Sequence, residues 1–512
     1  MVFPENLSEF HIHFVGIKGT GMCALVEICI SRGAIISGSD VPDTFYTDKI
    51  LKDLNIVPYE NFSAQNITDD IKLVIYSSAY KLENNEELIE ATRRGIPTIL
   101  YSEALGEISK SSYSCGISGV HGKTTTTGIT GTLIKALKLE AQVLAGSVIP
   151  TFNTQNEGSC TFSNGHKYFV AETCEYQRHF MSFAPKKIIL TSVESDHQDY
   201  YPTFKDIQNA FVDYICLLPK NGELIYCNDD VGATETACLA KLKRPDIKLC
   251  PYGQSAHENG NSMKNSDFTV IFENCVDGEQ FFRLAGLNTI FSIKVPGKHM
   301  VLNASAAIAL VLSLVCEDNA VDHFSKLTEK VLFETLQKIK EALTTFSGAK
   351  RRSELVATVK NEFTDTIFVD DYAHHPTALK TTIEGFRKFY PNRYIIVDFM
   401  SHTYSRTKAL LEQFSQSFNF ADEVILHKIY GSAREKQENK GNTGKTLDEE
   451  FFILTQKNHK NVKYFSEIFD AKEYVVNRLQ KKLPEDKKGY LFLTMGAGDN
   501  WKLTGEVLKI IN

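Results

Sequence analysis

No Cys-x-x-Cys pair occurs in the sequence, and its last third has no cysteine at all: the 11 cysteines run from Cys23 to Cys316. The closest two, Cys23 and Cys29, fall within one helical-looking segment. Both facts argue against a zinc site or a disulfide framework in a chain of this size. The thiols read as scattered, reduced and mostly buried. An excess of basic charge is also missing. Lys+Arg number 56 against 63 Asp+Glu, a net charge of -7, which gives no support to a nucleic-acid or anionic-membrane partner. The longest apolar run, residues 304–316, falls short of the ~20 residues a bilayer span needs. The opening MVFPENLSEF carries neither a basic n-region nor an apolar h-region. These absences point to the cytoplasm. No short-period repeat is found.

The chain has 512 residues, which at ~150 per domain gives about three domains. At 43% hydrophobic and 23% charged it is globular, neither disordered nor a coiled-coil rod. Strand and helix patterns alternate with short connections, which implies parallel sheets covered on both faces. The first unit, 1–112, has candidate strands at 11–15, 34–37, 73–76 and 98–100, and a helix at 22–32. The second, 113–345, opens on a glycine-rich segment. It has strands at 167–171 and 187–191, a polar loop at 257–266, three antiparallel-looking strands at 268–272, 280–284 and 290–295, and a buried helix at 304–316. The third, 346–512, has strands at 366–369, 394–397, 423–426 and 490–494, and a polar loop at 434–445.

Five motifs carry chemistry. Gly16-Ile-Lys-Gly19-Thr20-Gly21 joins the first strand to the first helix, with Asp40 nineteen positions on, at the end of the second strand. Glycines there allow a tight turn or close approach of a pyrophosphate to a helix N-terminus, and Asp40 stands where an acid would meet a ribose hydroxyl. The spacing is G-x-x-G-x-G, so a plain turn and diphosphate binding both remain open. Next, Gly119-Val120-His121-Gly122-Lys123-Thr124-Thr125 enters a helix as a P-loop variant, with Ile117 where the strict spacing has glycine. Its backbone N–H groups hold phosphates, Lys123 reaches the outer ones and the Thr124 hydroxyl meets Mg²⁺, so ATP is the expected ligand. Third, Glu172, Glu175, Asp196, His197 and Asp199 follow strands of the same unit, at the binding edge of a parallel sheet. Fourth, His299 and Asn303 share one helix face, as a cap with a buried polar contact or as readers of a purine edge. The fifth set gathers Arg351-Arg352, Asp370-Asp371-Tyr372-Ala373-His374-His375-Pro376, His402 with Arg406, and Gly496-Ala-Gly498-Asp499. The paired histidines admit a metal site, but Pro376 favours a loop.

In this order the motifs resemble the Mur ligase family over nearly the whole chain. The resemblance rests on the first glycine loop, Ser77-Ser78-Ala79, the run from Gly119 to Thr127, Ala171-Glu172, Asp196-His197, His299 with Asn303, Arg351-Arg352, the Asp370-to-Pro376 run, and Gly496 to Asp499. It implies an α/β fold of three domains: a Rossmann-like UDP domain, a central P-loop ATPase domain with a mixed sheet, and a Rossmann-like amino-acid domain. It implies a cytoplasmic ATP-dependent ligase of peptidoglycan precursor synthesis, a monomer or weak homodimer. This enzyme would join L-alanine to the lactyl carboxylate of UDP-N-acetylmuramate through an acyl phosphate, releasing ADP and phosphate.

Carried over, the family's roles make Lys123, His197 and Arg352 catalytic, and place Thr124, Glu172 and His197 around Mg²⁺. His299 and Asn303 read adenine, Asp371 meets its ribose, and Arg352 joins the P-loop residues at the phosphates. Gly16, Gly19, Thr20, Gly21, Asp40, Ser77 and Ser78 hold the UDP moiety. Tyr372, His374 and Arg406 hold the amino acid. The sequence departs from the family at Thr403, where a first arginine is common, and at Thr173-Cys-Glu175-Tyr-Gln177, where Ala-Asp-Glu-Ser-Asp is usual. Glu172 is favoured over Glu175 as the metal ligand. The carbamylated lysine of other branches is not expected, since that region reads Phe211-Val-Asp213. Two alternatives stand beside this: a ligase that attaches a preformed peptide in wall recycling, and a dinucleotide-dependent oxidoreductase, which leaves Lys123 and Thr124 unexplained.

Overall fold

Three β-sheets carry the architecture in the computed structural model, which describes residue 4 and residues 6–153, 158–254, 266–276, 279–431, 445–483 and 485–511. The first sheet holds β1 (His11–Val15), β2 (Ile35–Ser39), β3 (Ile71–Tyr76) and β4 (Thr98–Leu100) in the order β2-β1-β3-β4, every pair parallel. Its helices are α1 (Thr20–Ser31), α2 (Asp48–Asp53), α3 (Glu86–Arg93) and α4 (Tyr101–Lys110). The second strand starts one residue later than its apolar pattern suggests and continues to Ser39, because Gly38 and Ser39 still pair with Phe14 and Val15.

The second sheet has ten strands: β5 (Tyr113–Ser118), β6 (Ala141–Ile149), β7 (Ser159–Ser163), β8 (Tyr168–Glu172), β9 (Lys187–Leu190), β10 (Glu223–Cys227), β11 (Lys248–Gln254), β12 (Phe268–Val276), β13 (Glu279–Leu284) and β14 (Leu287–Ile293). Their order is β14-β13-β12-β11-β10-β9-β5-β8-β6-β7. The pairs from β6 through β8, β5, β9, β10 and β11 to β12 are parallel and β6 with β7 is antiparallel, so the sheet is mixed. Its helices are α5 (Lys123–Leu137), α6 (Phe204–Ile215), α7 (Val231–Lys243), α8 (Lys298–Asp318) and α9 (Glu329–Thr345). All four residues of β9 are buried, as expected of a parallel strand covered on both faces.

Helix α8 is longer than the apolar run that announced it. At 21 residues it is long and apolar enough to cross a membrane, but 83% of its apolar window is buried inside the protein, as in a core helix. The polar stretches read as loops at 257–266 and 434–445 lie outside the described residues except for Ser266 and Lys445.

The third sheet holds β15 (Glu354–Lys360), β16 (Asp365–Asp371), β17 (Tyr394–Met400), β18 (Glu423–Leu426), β19 (Val462–Tyr464) and β20 (Tyr490–Gly496) in the order β15-β16-β20-β17-β18-β19. Only β15 with β16 is antiparallel. The helices here are α10 (Pro376–Phe389), α11 (Tyr404–Ala409), α12 (Leu411–Ser415), α13 (Leu447–Asn458), α14 (Lys472–Leu479) and α15 (Trp501–Ile511). Register sets Asp371 beside Met495 and Met400 beside Gly496, so three strand ends meet on one edge, where α/β sheets bind ligands.

The chain forms two compact units. One comprises Met1–Glu273, Phe282–Ser292 and Leu302–Phe346, and the other Asn274–Phe281, Ile293–Val301 and Ser347–Asn512. Within the first unit, α1 of the first sheet packs on β6 and β7 of the second. Polar ties cross this seam: Arg32 Nε and Nη2 both donate to Gln142 Oε1, at 3.0 and 2.7 Å, and Ser159 donates to Glu27.

Candidate active site

The P-loop runs from the end of β5 into α5. Gly119 has φ +134°, and a Cβ there would lie 2.2 Å from Thr191 Oγ1 and 2.8 Å from the Ser192 nitrogen, so only glycine fits. Gly122, at φ +82°, is the left-handed residue just before α5. The loop is stitched to the segment after β9: Val120 N donates to the Ser192 carbonyl at 3.0 Å and His121 N to Ser192 Oγ at 2.9 Å. The first amides of α5 and its dipole thus face a loop of fixed shape, as phosphate binding needs. Asn303 is at this loop too, its Oδ1 2.9 Å from where a Cβ on Gly122 would stand.

Both acids singled out after β8 meet this loop, each at a different group. Glu172 Oε2 accepts from Thr124 Oγ1 at 2.9 Å and from the Gly146 N–H at 2.8 Å. Glu175 pairs with Lys123, Nζ to Oε2 at 2.9 Å, while the ammonium also donates to the Gly119 carbonyl at 2.5 Å. His197 Nε2 lies 3.3 Å from Glu175 Oε1 and packs against the Tyr176 ring at 4.8 Å. Burial opposes charge on both partners of the pair, but their mutual attraction prevails. Lys123 is held above its ordinary range by Glu175, and Glu175 below its own by Lys123 and His197.

The first glycine loop lies at the ends of β1 and β3. Gly16 N donates to the Ser39 carbonyl at 2.8 Å, and Ser77 N to that of Val15 at 3.0 Å. Asp40 is buried, with its oxygens turned to the loop: Oδ2 accepts from Lys18 N at 2.7 Å, and Oδ1 from Val41 N at 2.8 Å and Tyr80 OH at 3.3 Å. In this structure it fixes the loop's shape. Thr20 bonds to Tyr46 OH.

A cavity of about 270 Å³ opens here, lined by Gly19, Thr20, Gly21, Ser77, Ser78 and Tyr101 among others. A second, of about 130 Å³, shares Tyr101, Ser102 and His179 with it and reaches Gly146, Glu172 and Cys174. The first glycine loop therefore lines one of two adjoining cavities, and the other reaches Glu172, the acid that Thr124 of the P-loop bonds. Sequence reasoning missed Tyr101, Ser102 and His179. The first two directly follow the end of β4, the position at which parallel sheets present ligand contacts, and that signal was there to be read. A larger cavity, about 590 Å³, lies off these loops, beside Leu73, Ile99 and Leu217. Two acids in its wall are engaged, Glu103 by Leu100 N and Glu107 by Lys110.

The remaining candidates belong to the second unit. Asp371 is a clamp, its Oδ2 accepting from Ser353 N at 2.7 Å and its Oδ1 from Ala373 N at 2.8 Å. Arg351 is tied to Asp370 at 3.0 Å and to the Gly496 carbonyl at 2.7 Å, whereas the Arg352 guanidinium lies 4.8 Å over the Tyr372 ring. His374 meets Tyr372 edge-on at 4.9 Å. Arg352, Tyr372 and His374 thus come together. Burial pushes the His299 imidazole below its ordinary pKa, with Asp371 opposing, and its Nδ1 has no hydrogen-bond partner among the described residues. Arg406 lies in α11, whose N-cap is Thr403: its hydroxyl accepts from Arg406 N at 3.4 Å. The residue that departs from the family pattern therefore caps the helix that carries Arg406. His374 and His375 lie between β16 and α10, in the loop that Pro376 implied.

A P-loop at the binding edge of a largely parallel sheet, with a second glycine loop at the strand ends of a smaller parallel sheet in the same compact unit, defines an α/β nucleotide-dependent enzyme. The chain belongs to the Mur ligase family. Residues 11–113 match the family's catalytic domain, 117–311 its middle domain and 351–498 its glutamate ligase domain. It is 48% identical over 505 residues to the UDP-N-acetylmuramate–L-alanine ligase of Treponema pallidum (strain Nichols), covering 99% of this chain and 97% of that one. It is 38% identical to the ligase of the same name from Borreliella burgdorferi, covering 96% and 97%. Among solved structures, the UDP-N-acetylmuramate-alanine ligase MurC of Thermotoga maritima shares the fold, with a TM-score of 0.72 at 22% identity and 98% of each chain covered.

Proposed function

We propose that this chain is an ATP-dependent ligase that joins L-alanine to the lactyl carboxylate of UDP-N-acetylmuramate, in the cytoplasm, as a step of peptidoglycan precursor synthesis. The observation that carries the reading is the 48% identity, end to end, to a ligase of that name. The adjoining cavities that run from the first glycine loop to Glu172, the partner of Thr124, support it as a place for a nucleotide-linked carboxylate to approach a phosphate.

A carboxylate acylates an amine poorly at neutral pH, so the reaction goes in two steps. The carboxylate oxygen attacks the γ-phosphorus and ADP leaves. The alanine amine then attacks the acyl carbon, phosphate leaves and the amine loses its proton. Both steps crowd negative charge, so positioned cations are the main requirement. Lys123 exchanges Glu175 for phosphate oxygens, and Glu175, kept ionised, marks where the ammonium rests between turnovers. Arg352 brings a second cation. Thr124 Oγ1 and Glu172 Oε2, hard oxygen donors 2.9 Å apart, suit Mg²⁺ and would hold it, with His197 as the third proposed ligand. Once bound, the ion supplies neutralisation of phosphate charge. Asn303 and His299 face the adenine and Asp371 its ribose. Tyr372, His374 and Arg406 take the amino acid, and the first glycine loop with Ser77 and Ser78 takes the UDP moiety.

Phosphate release from ATP, UDP-N-acetylmuramate and a panel of amino acids and peptides tests the reading. L-Alanine should be the best acceptor, with glycine and serine used less well, because a methyl-sized pocket discriminates by only ~1–3 kcal/mol. Preference for a peptide over free alanine would refute it, as would tight NAD binding without UDP-sugar binding.

A further inference from the structure

We propose that His179 is a substrate-positioning and specificity residue that reads the lactyl carboxylate of the nucleotide sugar; this rests on the function proposed above. His179 lines both cavities, the one at Gly19, Thr20 and Ser77 and the one that reaches Glu172. A molecule whose diphosphate sits on the first loop and whose carboxylate extends through the adjoining cavity toward Glu172 passes this side chain. Of the groups that pass, the carboxylate is the anion furthest from the first loop, and an imidazole N–H is a donor suited to it.

The backbone presenting His179 is built to hold it there. The two residues before it, Gln177 and Arg178, are both left-handed, at φ 50° and 60°, and neither is glycine or asparagine. Strain of this kind persists only where neighbours over-determine it, and they do. Arg178 Nη2 bonds to Asp213 Oδ2 at 2.8 Å, Arg178 N to the Glu175 carbonyl at 2.9 Å, and Tyr201 OH to that same carbonyl at 2.5 Å. After His179, Phe180 is buried and stacks on Tyr214 at 4.4 Å. His179 is thus fixed from both sides on the segment that also carries Glu175, the partner of Lys123.

The test compares UDP-N-acetylmuramate with UDP-N-acetylglucosamine, which lacks the lactyl group, by calorimetry on the full chain. His179→Ala should weaken UDP-N-acetylmuramate binding about tenfold or more, the scale of a lost hydrogen bond to a charged group. It should leave UDP-N-acetylglucosamine binding within twofold, so that discrimination between the two collapses. The KM for ATP should stay within twofold, and His179→Gln, which keeps a donor, should recover part of the discrimination. A residue serving only the turn would instead weaken both sugars alike and lower the melting temperature. That result, or unchanged discrimination in His179→Ala, overturns the proposal while the function stands. If the unaltered chain binds neither sugar, the function falls and the proposal falls with it.

Discussion

Substituting Lys123 should produce two effects that can be separated. Its ammonium is 2.9 Å from Glu175, and the two side chains are only 13% and 3% exposed. Lys123→Ala leaves the Glu175 carboxylate buried without its ammonium partner, with His197 Nε2 at 3.3 Å as a remaining neighbour. Breaking a buried pair on one side costs about 3–5 kcal/mol, and the residual exposure of Lys123 argues for the lower end, about 3 kcal/mol. At ~2.1 cal/mol/K per residue, a kilocalorie moves the melting temperature of the large unit that holds Lys123 by ~1.5 °C, so a fall of about 4–5 °C is expected. Neutralising both partners, as Lys123→Met with Glu175→Gln, should restore most of that loss. Ligation should not return, because the cation needed at phosphoryl transfer is missing in both variants, a deficit of roughly 10²–10³ or more in kcat. Scanning calorimetry and phosphate release on the same samples read the two effects. A double variant that melts as low as Lys123→Ala refutes the pairing argument. Lys123→Ala activity within threefold of the unaltered enzyme refutes the assignment of Lys123 to the chemistry.

Glu172→Gln should raise the Mg²⁺ concentration needed for half-maximal activity, since it removes an anionic oxygen beside Thr124; the same shift from Glu175→Gln instead would exchange the two roles. Arg406→Lys should raise the KM for alanine about tenfold by removing a bidentate fork, with little change for ATP; a lowered melting temperature with both constants altered would make Arg406 a structural residue. Burial raises the Glu27 carboxyl on α1 from an ordinary 4.5 to about 7, so the fold favours its protonated form. The resulting stabilisation is complete below about pH 4.5 and is lost as the pH rises through 7, a difference on the order of 3 kcal/mol at most. Glu27→Gln should therefore melt higher than the unaltered chain at pH 8 and no higher at pH 5; a pH-independent difference would show that Glu27 does not titrate in the seam.

What was legible in the sequence follows from how local each signal is. The P-loop could be read because its chemistry is written in consecutive residues, Gly119 to Thr125, between an apolar run and a helix. The parallel strands could be read because burial on both faces makes them continuously apolar. Helix α8 was under-read: Lys298, His299 and Asn303 before the apolar run and Glu317 and Asp318 after it hide a helix of 21 residues. The position of β20 between β16 and β17 was beyond reach, since no periodicity reports which strands become neighbours. Side-chain direction was beyond reach as well. Asp40 stands at the end of β2 as a ribose reader would, yet its oxygens turn back to Lys18 N and Val41 N. Glu172 and Glu175 are three residues apart just where β8 ends, so strand alternation stops before it can separate them. The structure separates them by partner, a hydroxyl for one and an ammonium for the other. His179 carried no signal at all, because a turn through two left-handed residues without glycine matches no turn chemistry. The irregular backbone that conceals His179 in the sequence is what sets it in the lining of both cavities, so a position without any turn signal can still belong to the cavity wall.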